Sequence, residues 1–218
     1  MFPIGDDNSS RKVIPFVTYG LLMINVAVFY LMMQGGYEFI YRWAFVPVRF
    51  LSNPLEDWPT IFTSMFMHAS WAHIFGNMLY LGIFGDNVED KFGHLRYLLF
   101  YMICGIIATL AQLLFITGSE IPLLGASGAI AGILGAYFLM FPRKQVYVLF
   151  LFRIVPMPAY IVLGLWIVLQ MFSSIGTITT MEDAGGVAYI AHVAGFIAGF
   201  FLTRIFRKRR SAPRYYIS

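Results

Sequence analysis

Gly125-Ala126-Ser127-Gly128 opens an apolar run, Ala129 to Phe141, that holds no charge and stops at Pro142-Arg143-Lys144. In a soluble enzyme the tetrapeptide would read as a strand-to-helix elbow that exposes a serine. Composition decides against that setting. Of the 218 residues, 59% are hydrophobic and only 12% are charged, where soluble domains carry about a quarter charged residues. The mean hydropathy is +0.73. The run is therefore a short helix in a membrane, and the serine sits at its start.

Five further apolar segments accompany it. The six lie near Pro15–Met33, Ile61–Gly85, Leu95–Thr117, Ala126–Phe141, Met157–Ile175 and Val187–Phe206, each close to the ~20 residues that cross a bilayer. The reading is one all-α domain over 1–218, a polytopic bundle of six transmembrane helices. Residues 1–14 form a short cytoplasmic N-terminus and 207–218 a basic cytoplasmic tail. Residues 1–12 are polar, and no small-residue cleavage site follows the first apolar run, so no cleavable signal is expected. The connection 34–60 carries Tyr37, Phe39, Tyr41, Trp43, Phe45, Phe50 and Trp58 among charges, which suits an aromatic loop in the membrane interface. Cys104 lies alone in an apolar run and reads as a small buried hydrophobe.

Lysine and arginine orient the bundle. With the N-terminus in the cytoplasm, the inside segments hold Arg11, Lys12, Lys91, Arg96, Arg143, Lys144, Arg153, Arg204, Arg207, Lys208, Arg209, Arg210 and Arg214. The outside keeps Arg42 and Arg49 among the acids Glu38, Glu56, Asp57, Glu120, Glu182 and Asp183. The positive-inside rule places both termini in the cytoplasm, and the plasma membrane is the expected location. The basic tail is expected to meet anionic lipid; nucleic acid is not an expected partner.

Helix rise converts this topology into depth. From Phe141 back to Ser127 is roughly 21 Å at ~1.5 Å per residue, inside a hydrocarbon core ~30 Å thick. The same estimate puts His192 roughly 18–21 Å from the inner side and His73 roughly 20 Å from Asp86. Ser127, His192 and His73 converge on one level. Asn77 follows His73 by four residues, on the same helix face. Ionisable residues at such depth are costly and by default mark function; the bland alternative is that each histidine bonds a carbonyl and holds helices together. Gly128, Ala131, Gly132 and Gly135 make a small-residue face on the fourth helix, and Ala191, Gly195, Ala198 and Gly199 make one on the sixth. Such faces let two backbones approach closely.

A serine hydroxyl attacks a carbonyl once a base takes its proton, and histidine is the usual base. The oxyanion then needs donors, for which the Ser127 backbone N–H, His73 and Asn77 are candidates. His68 reads as a brace at the outer end of the second helix. These pieces resemble the rhomboid family of intramembrane serine proteases across nearly the whole length. The match comprises His68-x4-His73-x3-Asn77 on the second helix and Gly-Asp-Asn-Val-Glu-Asp (85–90) in the following loop. It continues with Gly125-Ala126-Ser127-Gly128 on the fourth helix and Ala191-His192-x2-Gly195-x3-Gly199 on the sixth.

The resemblance implies a Ser127–His192 dyad without an aspartate, an oxyanion site from the Ser127 N–H, His73 and Asn77, and no cofactor or metal. Gly125, Gly128, Gly195, Gly199 and His68 are implied as supporting residues. It also implies single-span transmembrane proteins as substrates, cut near their outer ends after a small residue. Two departures stand out. Trp58 is followed by Pro59-Thr60 where many members have Trp-Arg, with no arginine nearby in sequence. Ala131 stands where some members stack an aromatic on the catalytic imidazole.

Other classes fit less well. No His-Glu-x-x-His is present, and no carboxylate lies mid-membrane for a metalloprotease or an aspartyl protease. A transporter would favour paired broken helices in related halves, and no such symmetry is visible. The alternative within the fold is a catalytically inactive rhomboid-like protein that binds transmembrane clients. A substrate gate beside the fifth helix would use Trp166 or Phe172, both of which read as lipid-facing; the other route lies under the loop 175–186.

Overall fold

The structure, a computed structural model, describes residues 2–180 and 188–207, with the backbone alone for 176–180. Among the described residues six long helices dominate: α1 (Phe16–Trp43), α5 (Trp71–Phe92), α6 (His94–Leu113), α7 (Ser127–Met140), α8 (Ala159–Thr180) and α9 (Tyr189–Phe206). Three short helices, α2 (Pro47–Ser52), α3 (Pro54–Asp57) and α4 (Thr60–Thr63), and a 3₁₀ turn (Ser64–Phe66) fill the first long connection. By length and composition α1, α6 and α9 can cross a membrane, whereas α7 and the Ala159–Ile175 part of α8 are shorter apolar helices.

α7 is the axis of the bundle. It is apolar all round, and Gly128 through Tyr137 are buried without a break. A helix with no polar face belongs in an interior, and α5, α6, α8 and α9 surround it. Its pairing with α9 is the most extensive helix contact described.

The chain is not all-α. β1 (Phe2–Asp6), β2 (Gln145–Phe150) and β3 (Arg153–Pro158) form an antiparallel sheet in the order β1-β2-β3. The N-terminus is thus a packed strand, with Asp6 opposite Val146 and Phe2 opposite Leu149. β1 holds a proline and a glycine, residues depleted in strands, and its partner lies about 140 residues on. The β2–β3 turn places Leu151 and Phe152 at positive φ, 45° and 65°.

Helix boundaries differ from expectation where local chemistry outweighs hydropathy. α1 continues to Trp43 and absorbs part of the expected interface loop; it is broken at Gly36, whose φ of 57° a side chain would resist. α5 starts at Trp71, capped by Ser70 Oγ accepting the His73 N–H at 3.1 Å, and runs on to Phe92. Residues 85–90 therefore form the last turns of α5, not a loop.

There the motif binds the N-terminal segment. The Glu89 carboxylate, fully buried, accepts the N–H groups of Val17 and Thr18 at 2.9 and 2.8 Å and the Thr18 hydroxyl at 2.6 Å. It caps α1 from another helix and meets His94 Nδ1 at 2.6 Å. Asp86 pairs with Arg11 at 2.7 Å, Asp90 accepts the N–H groups of Lys12 and Val13, and Asn87 donates to Asp6 and Asn8. Lys144 donates to Asn87 and Ser10. The sheet, Arg11, Lys91 and Lys144 thus gather at one end of the bundle; the starts of α5 and α7 lie at the other.

Candidate functional site

The start of α7 depends on Gly125. Its φ of 138° is one that side chains rarely adopt, and a Cβ there would stand 3.0 Å from both Cε1 and Nε2 of His73. Its N–H donates to Ser64 O at 2.9 Å, which fixes the loop to the turn before α5. Ser127 follows as the first residue of α7. Like other first-turn amides, its N–H has no carbonyl one turn earlier to bond.

His192 reaches Ser127 across the α7–α9 contact, with Nε2 at 2.8 Å from Oγ. The approach depends on the small residues. A Cβ on Gly195 would fall on the carbonyl oxygen of Gly128, and one on Gly199 would fall on that of Gly132. Gly128 itself abuts the Ala108 side chain of α6.

His73 and Asn77 face the same place from α5. Together with Ser127 and His192 they line a cavity of about 200 Å³. Asn77 is buried, and among the described residues its Nδ2 has no hydrogen-bond partner. A smaller cavity of about 20 Å³ behind Ser127 is bordered by Ser64 and Thr109. That is room for one water molecule beside polar groups. His68 lies before α5 and not on it. Fully buried, it packs its ring edge-on to that of His73, centroids 5.1 Å apart, and so braces His73 directly.

Among the described residues, three side chains hold the His192 ring. Gln170 of α8 sets Oε1 2.7 Å from Nδ1. The Trp166 ring lies 6.0 Å away at 35°, and Tyr189 meets it edge-on at 6.4 Å. Trp166 therefore lines the site, while Phe172 is 70% exposed. Gln112 of α6 accepts the Ala191 N–H at 3.1 Å, anchoring the first turn of α9. Gln170 is the residue that sequence reasoning missed. The signal was present: an amide in the apolar run Val168-Leu169-Gln170-Met171, roughly 17 Å from the start of α8 by helix rise, at the level of the other three.

The first connection also has an arginine anchor, supplied from outside the expected dipeptide. Arg49 of α2 pairs with Asp57 at 2.5 Å, bonds the carbonyls of Tyr41 and Ala44, and lies over the Tyr41 ring. It closes the end of α1 and ties it to α3. The loop 181–187, with Glu182 and Asp183, and the tail from Lys208 onward lie outside the described residues.

Comparison with known families gives a single answer. The rhomboid domain model matches residues 55–209, which holds every residue of the Ser127 cluster. The chain belongs to the rhomboid family. This rhomboid is 27% identical over 203 residues to the mitochondrial Rhomboid protein 1 of Saccharomyces cerevisiae, covering 89% of this chain and 55% of the yeast protein. It is 32% identical over 150 residues to the rhomboid protease GluP of Bacillus subtilis (66% of this chain, 25% of that one). With the rhomboid protease GlpG of Pectobacterium atrosepticum the identity is 26% over 198 residues (91% and 65%). The chain thus spans a quarter to two thirds of the length of these relatives. Family and apolar helices together make it an integral membrane protein.

Proposed function

We propose that this protein is an intramembrane serine endopeptidase that cuts transmembrane segments of single-span proteins near their outer ends. The observation that carries the reading is the 2.8 Å contact between His192 Nε2 and Ser127 Oγ, at a cavity into which the buried, unpaired Asn77 amide also faces. An unsatisfied buried donor costs stability, and a developing oxyanion would supply its partner.

In the proposed cycle His192 Nε2 takes the Ser127 proton as Oγ attacks the scissile carbonyl carbon. The resulting oxyanion is received by Asn77 Nδ2, His73 and the Ser127 N–H. Collapse breaks the C–N bond, the amine leaves with the proton from Nε2, and water repeats the sequence on the acyl-serine. The two named protease relatives and the resemblance of the motifs support this reading. The six long helices are then six spans with both termini in the cytoplasm, in the cell membrane, and lipid surrounds them.

The test is cleavage in detergent of a single-span substrate whose helix is weakened around a small residue. Wild type should cut it and Ser127→Ala should not, and a fluorophosphonate should label Ser127. Equal cleavage by both proteins would sink the assignment. A folded wild type that neither cuts nor labels would favour an inactive client-binding protein.

A further inference from the structure

We infer that Gln170 is a positioning residue that selects the tautomer of His192, the neutral counterpart of the carboxylate in a three-residue catalytic set. The inference rests on the Ser127–His192 reading. A neutral imidazole carries one N–H, and the nitrogen without it is the base. Gln170 Oε1 lies 2.7 Å from Nδ1, and a carbonyl oxygen only accepts. The proton is therefore held on Nδ1, and the Nε2 lone pair points at Ser127 Oγ, 2.8 Å away. With the amide reversed, its NH₂ would face Nδ1 and the proton would move to Nε2. His192 would then donate to Ser127 and could not deprotonate it.

Among the described residues, the other neighbours cannot make this choice. Trp166 and Tyr189 touch the ring through their faces and edges, which fixes its plane and not its proton. Across the cavity stands His73, and Ala131 offers only a methyl group. A carboxylate in place of Gln170 would also select the tautomer, but it would bring a charge into the membrane interior, where charges are costly. An amide does the orienting without one. Gln170 is half-buried on α8, where its backbone carbonyl accepts the Ser174 hydroxyl at 2.8 Å.

The experiment compares Gln170→Met, which keeps length and loses the acceptor, with Gln170→Glu, which keeps an acceptor oxygen. Groups that orient a metal-ligating histidine typically change function 10–100-fold when removed, and the same order is expected for a histidine base. Gln170→Met should lower kcat about 10–100-fold, with a smaller change in KM than in kcat. Gln170→Glu should recover most of that loss. Nitrogen-15 NMR of His192 should report the Nδ1–H tautomer in wild type and a shift towards Nε2–H in Gln170→Met.

Wild-type kcat in Gln170→Met, or equal impairment of both variants with an unchanged tautomer, would overturn the inference. So would an Nε2–H tautomer in wild type, a result available even if Gln170→Met does not fold. If Ser127→Ala cleaved like wild type, the dyad reading itself would fail. A dead Ser127→Ala beside a fully active Gln170→Met would remove Gln170 alone.

Discussion

Asn77 shows what a single residue reveals when its bonding is counted. Its amide nitrogen is buried with no partner among the described residues, a condition that costs about 1–3 kcal/mol and is uncommon in folded proteins. Asn77→Ala removes the orphan and with it one proposed oxyanion donor. Loss of such a donor typically lowers turnover by about 10²–10³, while stability should hold or rise. His73 offers a second donor, so the double variant should be slower than either single one. Turnover and thermal unfolding measured on the same preparations test the pair; an Asn77→Ala protein that is less stable and fully active would give the amide a structural role. Ser127, His192, His73 and Asn77 were all legible in the sequence because polar residues at one depth stand out in an oily chain. Gln170 was not, because the apolar run around it holds no histidine or charged residue to draw attention, whereas Asn77 stands one turn from His73. His68 was placed on the wrong element because the helix start is set by Ser70, a cap that hydropathy does not register.

At the scale of elements, the sheet end is where sequence was least informative. Apolar runs announce helices, but a five-residue strand and a carboxylate that caps a distant helix depend on contacts across 70 to 140 residues. Glu89 is the clearest case: Glu89→Gln leaves one acceptor oxygen and turns an NH₂ towards the α1 amides. Hydrogen bonds to a charged group are worth about 1.5–3 kcal/mol, so a destabilisation of about 2–3 kcal/mol is expected, read as a lower midpoint of thermal unfolding in detergent. Asp6 gives the same end a pH dependence. Burial pushes its carboxyl from 3.8 up to about 6, against the Tyr137 hydroxyl bond and with Asp86 adding to the rise. Folded protein thus holds a proton that unfolded chain releases between these values. The contribution of Asp6 is full below 3.8 and is lost as pH rises through about 6. Amides of β1, corrected for intrinsic exchange, should be better protected at pH 5 than at pH 7, and Asp6→Asn should flatten the difference. An unchanged pH dependence in Asp6→Asn would remove this carboxyl from the account.

For the whole molecule, the question is which end faces which compartment. The charge distribution gives an expectation from sequence, and the fold makes it more demanding by separating two unlike ends. Ser127 is the first residue of α7 and His73 the third of α5, so the site lies towards the end that carries α2–α4. The far ends of the same helices meet the sheet, through Tyr137 on Asp6 and Asn87 on Asp6 and Asn8. On the proposed reading, water for hydrolysis enters from the α2–α4 side. Cysteines make this measurable. In a Cys104→Ala background, Leu55→Cys on α3 and Phe152→Cys at the hairpin tip occupy positions 90% and 100% exposed, so neither reading is limited by burial. With 13 of 15 basic residues assigned to the sheet end and tail, Leu55→Cys should react with an impermeant maleimide on intact cells. Phe152→Cys should react only after lysis. The opposite labelling would leave the Ser127–His192 geometry intact and turn the cavity towards the cytoplasm. The proposed outer-end cleavage would then have to be exchanged for cleavage at the inner end.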